Sequence, residues 1–247
     1  MIDPFYQKYA EYTSSIVDTD EFLRFKSDER YTSMLEHVGL NSGKEYLNII
    51  QRETKISDND IRTFAALNDS VGGPKKEIFT VGTFSPSNLR YIFHAHLILT
   101  HMRDIGEVTP HIVEIGGGYG GLCLAINFFC DRYGVKPQSY TSIDLEPASK
   151  LQAKYLSRFS IYYPLKFLVN YTYGKDIPYT GMYLISNYCF SEISTEHKRA
   201  YEKILFPKVA HGFMAWNFIP VFDFGFKTKV EEEYPVTADS NNKYVWF

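Results

Sequence analysis

Val113-Glu114-Ile115-Gly116-Gly117-Gly118-Tyr119-Gly120-Gly121 decides the reading of this chain, because an apolar run passes there into a segment built almost wholly of glycine. Glycines at such a place let the backbone turn sharply and approach a ligand with no Cβ in the way. Ile112 to Ile115 reads as a short strand and Leu122 to Tyr133 as a helix, so the glycines occupy a strand-to-helix turn. The alternation continues downstream. Strands are predicted at Ser139 to Ile143, Leu165 to Val169, Met182 to Ser186 and His211 to Phe218, with helices at Pro147 to Phe159 and Thr195 to Ile204. This order predicts an α/β fold, a parallel sheet covered by helices on both faces. The tail departs from it: Lys229 to Val236 and Lys243 to Phe247 are strand-like and joined through Asp239, Ser240, Asn241 and Asn242, which predicts an antiparallel edge.

Upstream of the glycines, apolar residues recur at helical spacing, as in Phe22, Leu23 and Phe25 or Leu89, Ile92, Phe93, Leu97 and Ile98. Gly72, Gly73, Pro74, Gly82 and Pro86 mark a loop over roughly 69–88, followed by a helix from Ser87 to Arg103 with Ser87 as its N-cap. The chain therefore divides into an N-terminal helical region, 1–108, and an α/β domain, 109–247.

With 247 residues and 45% hydrophobic content, the chain buries one sizeable core. A formal net charge of -3 lacks the Lys/Arg excess of a nucleic-acid binder, so no nucleic-acid partner is expected. No apolar run reaches the ~18 residues of a membrane span, and Met1 to Asp20 is polar and acidic, so neither membrane nor export is expected. Cys123, Cys130 and Cys189 lie in apolar stretches and form no CxxC pair, which argues against structural zinc and for a reduced, cytoplasmic setting.

The turn satisfies both GxGxxG (Gly116, Gly118, Gly121) and GxGxG (Gly116, Gly118, Gly120), so NAD, FAD and S-adenosylmethionine (SAM) begin level. Two carboxylates separate them. Glu114, at the end of the strand, would point toward the occupant of the turn, repelling a pyrophosphate and attracting the ammonium and sulfonium charges of SAM. Asp144, at the end of the next strand, is placed to accept hydrogen bonds from both hydroxyls of a ribose, a clamp shared by NAD and SAM sites.

At this point the residues resemble a known family. Ile112 to Gly121 with Asp144 resembles motif I and the following acid of class I SAM-dependent methyltransferases. EIGGGYGG, the upstream Ser85-Pro86-Ser87-Asn88-Leu89-Arg90-Tyr91 and the downstream Ile185-Ser186-Asn187-Tyr188-Cys189-Phe190-Ser191-Glu192 are similar to the sugar O-methyltransferase family. The resemblance spans roughly 83–218. It implies a Rossmann-like, seven-stranded, mostly parallel sheet with an antiparallel last strand, and SAM lying across the carboxyl ends of the first strands. It implies further that Asn187-Tyr188 contact the methionine part of SAM, with S-adenosyl-L-homocysteine as the product.

Sites in open α/β sheets lie beyond the carboxyl ends of the strands, so the residues following each strand are the candidates. For the cofactor these are Gly116, Gly118, Tyr119 and Gly120 in the turn, Glu114 and Asp144, Leu145 beside Asp144, Asn170 (with Tyr171, toward adenine) and Asn187; Arg90 is a partner for the methionine carboxylate. Methyl transfer to an alcohol needs a base for its proton. Glu192 is the first candidate and His197 the second; His94, His96 and His101 share one helix and are set aside. Tyr188, Trp216 and Asn217 offer rings and an amide to a sugar or glycan acceptor. No cluster of Asp follows the strands, so no metal is expected. The glycines do not choose the acceptor. A phenol or amine methyltransferase, an NAD-dependent oxidoreductase and a non-catalytic SAM-binding protein remain the competing readings. The N-terminal helices are free to cap the cleft, bind the acceptor or pair two chains into a homodimer.

Overall fold

The computed structural model describes residues 4–236 and 241–247. The first hundred residues form α1 (Pro4–Ile16), a 3-10 helix (Asp20–Ser27), α2 (Glu29–Thr32), α3 (Leu40–Glu53), α4 (Asp58–Asn68), a short hairpin of β1 (Glu77–Phe79) and β2 (Gly82–Phe84), and α5 (Ser87–Asp104). Phe22 and Phe25 fall three apart on the 3-10 helix and are both buried, whereas Leu23 between them is 62% exposed. The hairpin lies within the segment expected to be loop. A capping box starts α4, where Ser57 Oγ accepts from the Asp60 N–H and Asp60 accepts from the Ser57 N–H.

Ser87 is not the cap of α5. Pro86 occupies the cap position, and Ser87 sits in the first turn, buried, with its Oγ unpartnered among the described residues. The whole first half of α5, Ser87 to Ala95, is buried, because the helix runs between the N-terminal helices and the sheet.

Beyond it the predicted alternation is present: β3 (His111–Ile115), α6 (Gly121–Phe129) extended by a 3-10 turn (Cys130–Tyr133), β4 (Ser139–Asp144), α7 (Glu146–Leu156), β5 (Leu165–Val169), β6 (Met182–Asn187), α8 (Cys189–Glu192), α9 (Thr195–Ile204), β7 (Val209–Trp216), β8 (Lys229–Glu232) and β9 (Lys243–Trp246). The sheet order is β5-β4-β3-β6-β7-β9-β8. Strands β3 to β7 run parallel, and β9 is antiparallel to both β7 and β8, so the closing pair makes the expected antiparallel edge. This is a Rossmann-like, seven-stranded, mostly parallel sheet. Asp239 and Ser240, named above as part of the β8–β9 connection, lie outside the described residues.

Alternation along the strands assigns each face. Ile112, Tyr140, Tyr183, Ile185, Phe213 and Tyr244 join one core with α1 to α7, while Val113, Ile115, Ile143, Leu184, Met214 and Trp216 join a second with Phe190, Tyr201 and Phe206. The N-terminal helices therefore share their core with one face of the sheet, directly beside the glycine turn.

Candidate functional site

Chain direction puts the carboxyl ends of β3, β4, β5, β6 and β7 along one edge, and the glycine turn stands at its centre. Gly116, Gly118 and Gly120 have φ of 79°, 59° and 98°, a region that costs an L residue with a Cβ about 1–2 kcal/mol. Gly116 N–H donates to Ile143 O at 3.0 Å, which ties the turn to β4. A Cβ on Gly117 would stand 2.6 Å from Ser142 Oγ and 2.8 Å from Glu114 Oε2, so only glycine lets the turn settle onto those two side chains.

Glu114 lies beneath this turn, 2% exposed, and its Oε2 accepts from the Tyr140 hydroxyl at 2.8 Å. It shares the helical face with Ile112 because strand residues two apart point the same way. Burial pushes its carboxyl up to about 7, against the pull of the Tyr140 bond. Asp144, partly exposed at the end of β4, accepts from Gly118 N–H at 3.1 Å, Leu145 N–H at 2.8 Å and Gln152 Nε2 at 2.9 Å. Burial raises it to about 6, opposed by those bonds. Two carboxylates thus flank the turn, one below it and one bonded to its rim. Gln152 was not singled out from sequence; it lies on α7 and braces both Asp144 and Gly118 O.

Tyr119 points the other way. Its ring is fully buried among Phe25, Tyr91 and Tyr155, so the side chain anchors the turn in the helical core and faces no ligand.

Arg90, in the first turn of α5, is 7% exposed and forms no ion pair with any carboxylate of the described residues. Its Nη1 lies 3.3 Å from His37 Nε2, and its guanidinium is 5.9 Å from the Tyr188 ring centroid. Asn187 ends β6 with Nδ2 2.9 Å from His94 Nδ1, while Asn187 Oδ1 and His94 Nε2 are buried without partners among the described residues. Burial, reinforced by Arg90, holds His94 down to about 3. Tyr188 adopts φ 63°, turning the chain into α8, and its hydroxyl donates to Glu233.

Glu192 is exposed at the end of α8 and receives the Tyr6 hydroxyl on one oxygen and Asn217 Nδ2 on the other. Asn217 also donates its backbone N–H to Ser191 Oγ at 3.3 Å, so Glu192, Asn217 and Tyr188 form one cluster after β6 and β7. His197 belongs to a neighbouring pair, its Nδ1 2.8 Å from the Tyr173 hydroxyl. Asn170 sits partly exposed in the 3-10 turn after β5 beside Tyr171, which is 68% exposed, and Leu145 packs partly buried next to Asp144.

Trp216 corrects the expectation of an aromatic platform. It is fully buried between Phe190 and Phe224, and its Nε1 donates to Ile219 O at 3.1 Å, so no face is left for an acceptor. The residues that cover it, 219–226, follow the strand and carry no periodic signal.

Three contacts to the site were not foreseen. Leu35 rests on Gly118, with its Cδ1 3.0 Å from where a Cβ would stand, and Cys189 packs against Gly116. Tyr9 of α1 is buried within electrostatic reach of Asp144. Tyr6 reaches Glu192 and Lys154 Nζ donates to Val17 O, so α1 runs from the β6 end of the site to α7 and roofs the turn. Its spacing marks a helix but not what it covers. Among the described residues no helix is long and apolar enough to cross a membrane, and no group of His, Cys, Asp and Glu is set to hold a metal ion.

No family model matches this sequence, and no curated protein matches it. Solved structures similar to it include the methyltransferase domain of bacterial CtHen1-CN, at 9% identity over 62% of this chain and 96% of that one, TM-score 0.47. PKMT2 from Rickettsia typhi in complex with AdoHcy is 20% identical over 51% of this chain and 26% of its own, TM-score 0.39. SAM-bound CalS10, an amino pentose methyltransferase from Micromonospora echinaspora, is 14% identical over 58% of each chain, TM-score 0.41.

Proposed function

We propose that this chain is a SAM-dependent O-methyltransferase whose acceptor is a hydroxyl of a sugar or glycan. The observation that carries the reading is the arrangement at the carboxyl edge of the sheet: a left-handed glycine turn with Glu114 beneath it, Asp144 at its rim, and the buried, unpaired guanidinium of Arg90 nearby. A buried guanidinium without a counter-ion is costly, and a ligand carboxylate relieves that cost. The amino-acid end of SAM carries one. A pyrophosphate on the turn would instead rest above Glu114.

The residues fit the cofactor in this way. Asp144 accepts from the ribose hydroxyls, Leu145 and Asn170 border the adenine, and Arg90 pairs with the methionine carboxylate while Asn187 borders that end of the molecule. SAM, when bound, supplies a methyl group activated by a positive sulfur and is released as S-adenosyl-L-homocysteine. Glu192 holds the remaining task, taking the proton of the acceptor hydroxyl, with Asn217 and Tyr6 fixing its two oxygens. The helices of residues 1–108 close the site from above, and excluding water there strengthens every charge interaction inside it.

Methyl-labelled SAM offered with nucleotide sugars, glycans and phenols tests the reading. Label in a sugar is expected. Transfer to phenols alone contradicts the acceptor class, and binding of SAM without transfer to any hydroxyl contradicts the enzyme.

A further inference from the structure

A cavity of about 230 Å³ opens between the segment after α2 and the loop entering α5, with Lys26, Thr32, Glu36, His37, Lys75 and Ser85 on its wall. Lys26 and Glu36 bring opposite charges to its interior, and the exposed Lys75 and Glu77 add one of each sign at its rim. Lys26 is 1% exposed; its Nζ donates to Asn68 O at 2.7 Å and Oδ1 at 3.2 Å and lies 4.3 Å from the Tyr119 ring centroid. No carboxylate of the described residues is within ion-pair distance of it, since Asp69 is paired at 4.0 Å with Lys76. Glu36 Oε2 accepts from Ser85 Oγ at 3.0 Å, while Glu36 Oε1 is shielded and has no partner among the described residues.

The buried carboxylate oxygen requires a polar donor, and the ammonium, with two of its three donors on Asn68, has one left to offer. An anionic ligand is repelled by Glu36, a cationic one by Lys26, and a hydrocarbon leaves the Glu36 oxygen unsatisfied. A neutral group with adjacent hydroxyls donates to the carboxylate and accepts from the ammonium. The volume lies below the ~300–1,000 Å³ of sites for drug-sized ligands, which limits the occupant to about one ring.

The cavity is coupled to the candidate cofactor site through three consecutive residues. Leu35 rests on Gly118, Glu36 enters the cavity, and His37 both lines it and touches Arg90. We propose that this cavity is a sugar-binding subsite, in which the vicinal hydroxyls of one neutral pyranose bridge Glu36 and Lys26 and hold the glycan beside the methyl donor. The role as acceptor subsite rests on the methyl-transfer reading; the binding of a polyol does not.

Saturation-transfer NMR on the full chain with the methyl α-glycosides of glucose, galactose, mannose and rhamnose tests it. At least one glycoside is expected to bind, and both Glu36→Gln and Thr32→Phe, the second filling the cavity from its partly exposed rim, are expected to weaken it at least tenfold. Binding equal to wild type in both variants, or no binding of any glycoside, overturns the subsite. Calorimetry with S-adenosylhomocysteine on the same proteins separates the two readings. Retained affinity in the variants shows intact folding, whereas failure of the wild type to bind it sinks the methyltransferase and leaves the glycoside result standing by itself.

Discussion

A carboxylate that accepts two hydroxyl hydrogen bonds works only when ionised, and burial has raised Asp144 to about 6. Protonation removes the acceptor, so affinity for S-adenosylhomocysteine is expected to be flat above pH ~7 and to fall as pH drops through ~6. Calorimetry across that range checks the sign. Asp144→Ala should weaken binding at least about tenfold, ~1.4 kcal/mol, at neutral pH. Arg90→Met separates binding from folding: cofactor affinity should drop by a similar factor, while thermal stability holds or rises because a buried unpaired charge has gone. Asp144, Glu114 and Arg90 were legible in the sequence because strand ends and a helix start place them. Trp216 was not, since position at a strand end does not tell which face the following loop covers. Leu35, Tyr9 and Gln152 approach the turn from elements whose spacing says nothing about their destination.

At the scale of elements, the glycine turn is the least replaceable piece. Gly118→Ala puts a Cβ at φ 59° and against Leu35, so unfolding free energy should fall by about 1–2 kcal/mol and cofactor binding should suffer with it. A thermal melt paired with a binding isotherm reads both. The strands of the sheet were legible to within about two residues at most ends because buried parallel strands are short apolar runs bounded by turns. The exception is β8, which stops at Glu232 rather than Val236. The hairpin β1–β2 escaped notice because strands of three residues carry too little alternation to separate from loop. The 3-10 helix at Asp20–Ser27 showed its helical spacing but not its tighter pitch.

Over the whole molecule, one sheet face and the N-terminal helices make a continuous core with Glu114 buried in it. Its carboxyl is raised from an ordinary value of 4.5 to about 7, so the folded state holds that proton more tightly than the unfolded chain does. The stabilisation is complete below pH ~4.5 and is lost as pH rises through ~7, amounting to ~3 kcal/mol by linkage. Glu114→Gln should flatten the dependence of denaturant midpoint on pH across that window, relative to wild type. A positive ligand above Glu114 favours its ionised form, which joins this stability argument to the choice of cofactor. Isothermal titration of the full chain with SAM and, separately, with NAD tests that choice most directly. The account predicts saturable binding of SAM and none of NAD at the same concentrations; tight binding of NAD with no SAM heat would contradict it.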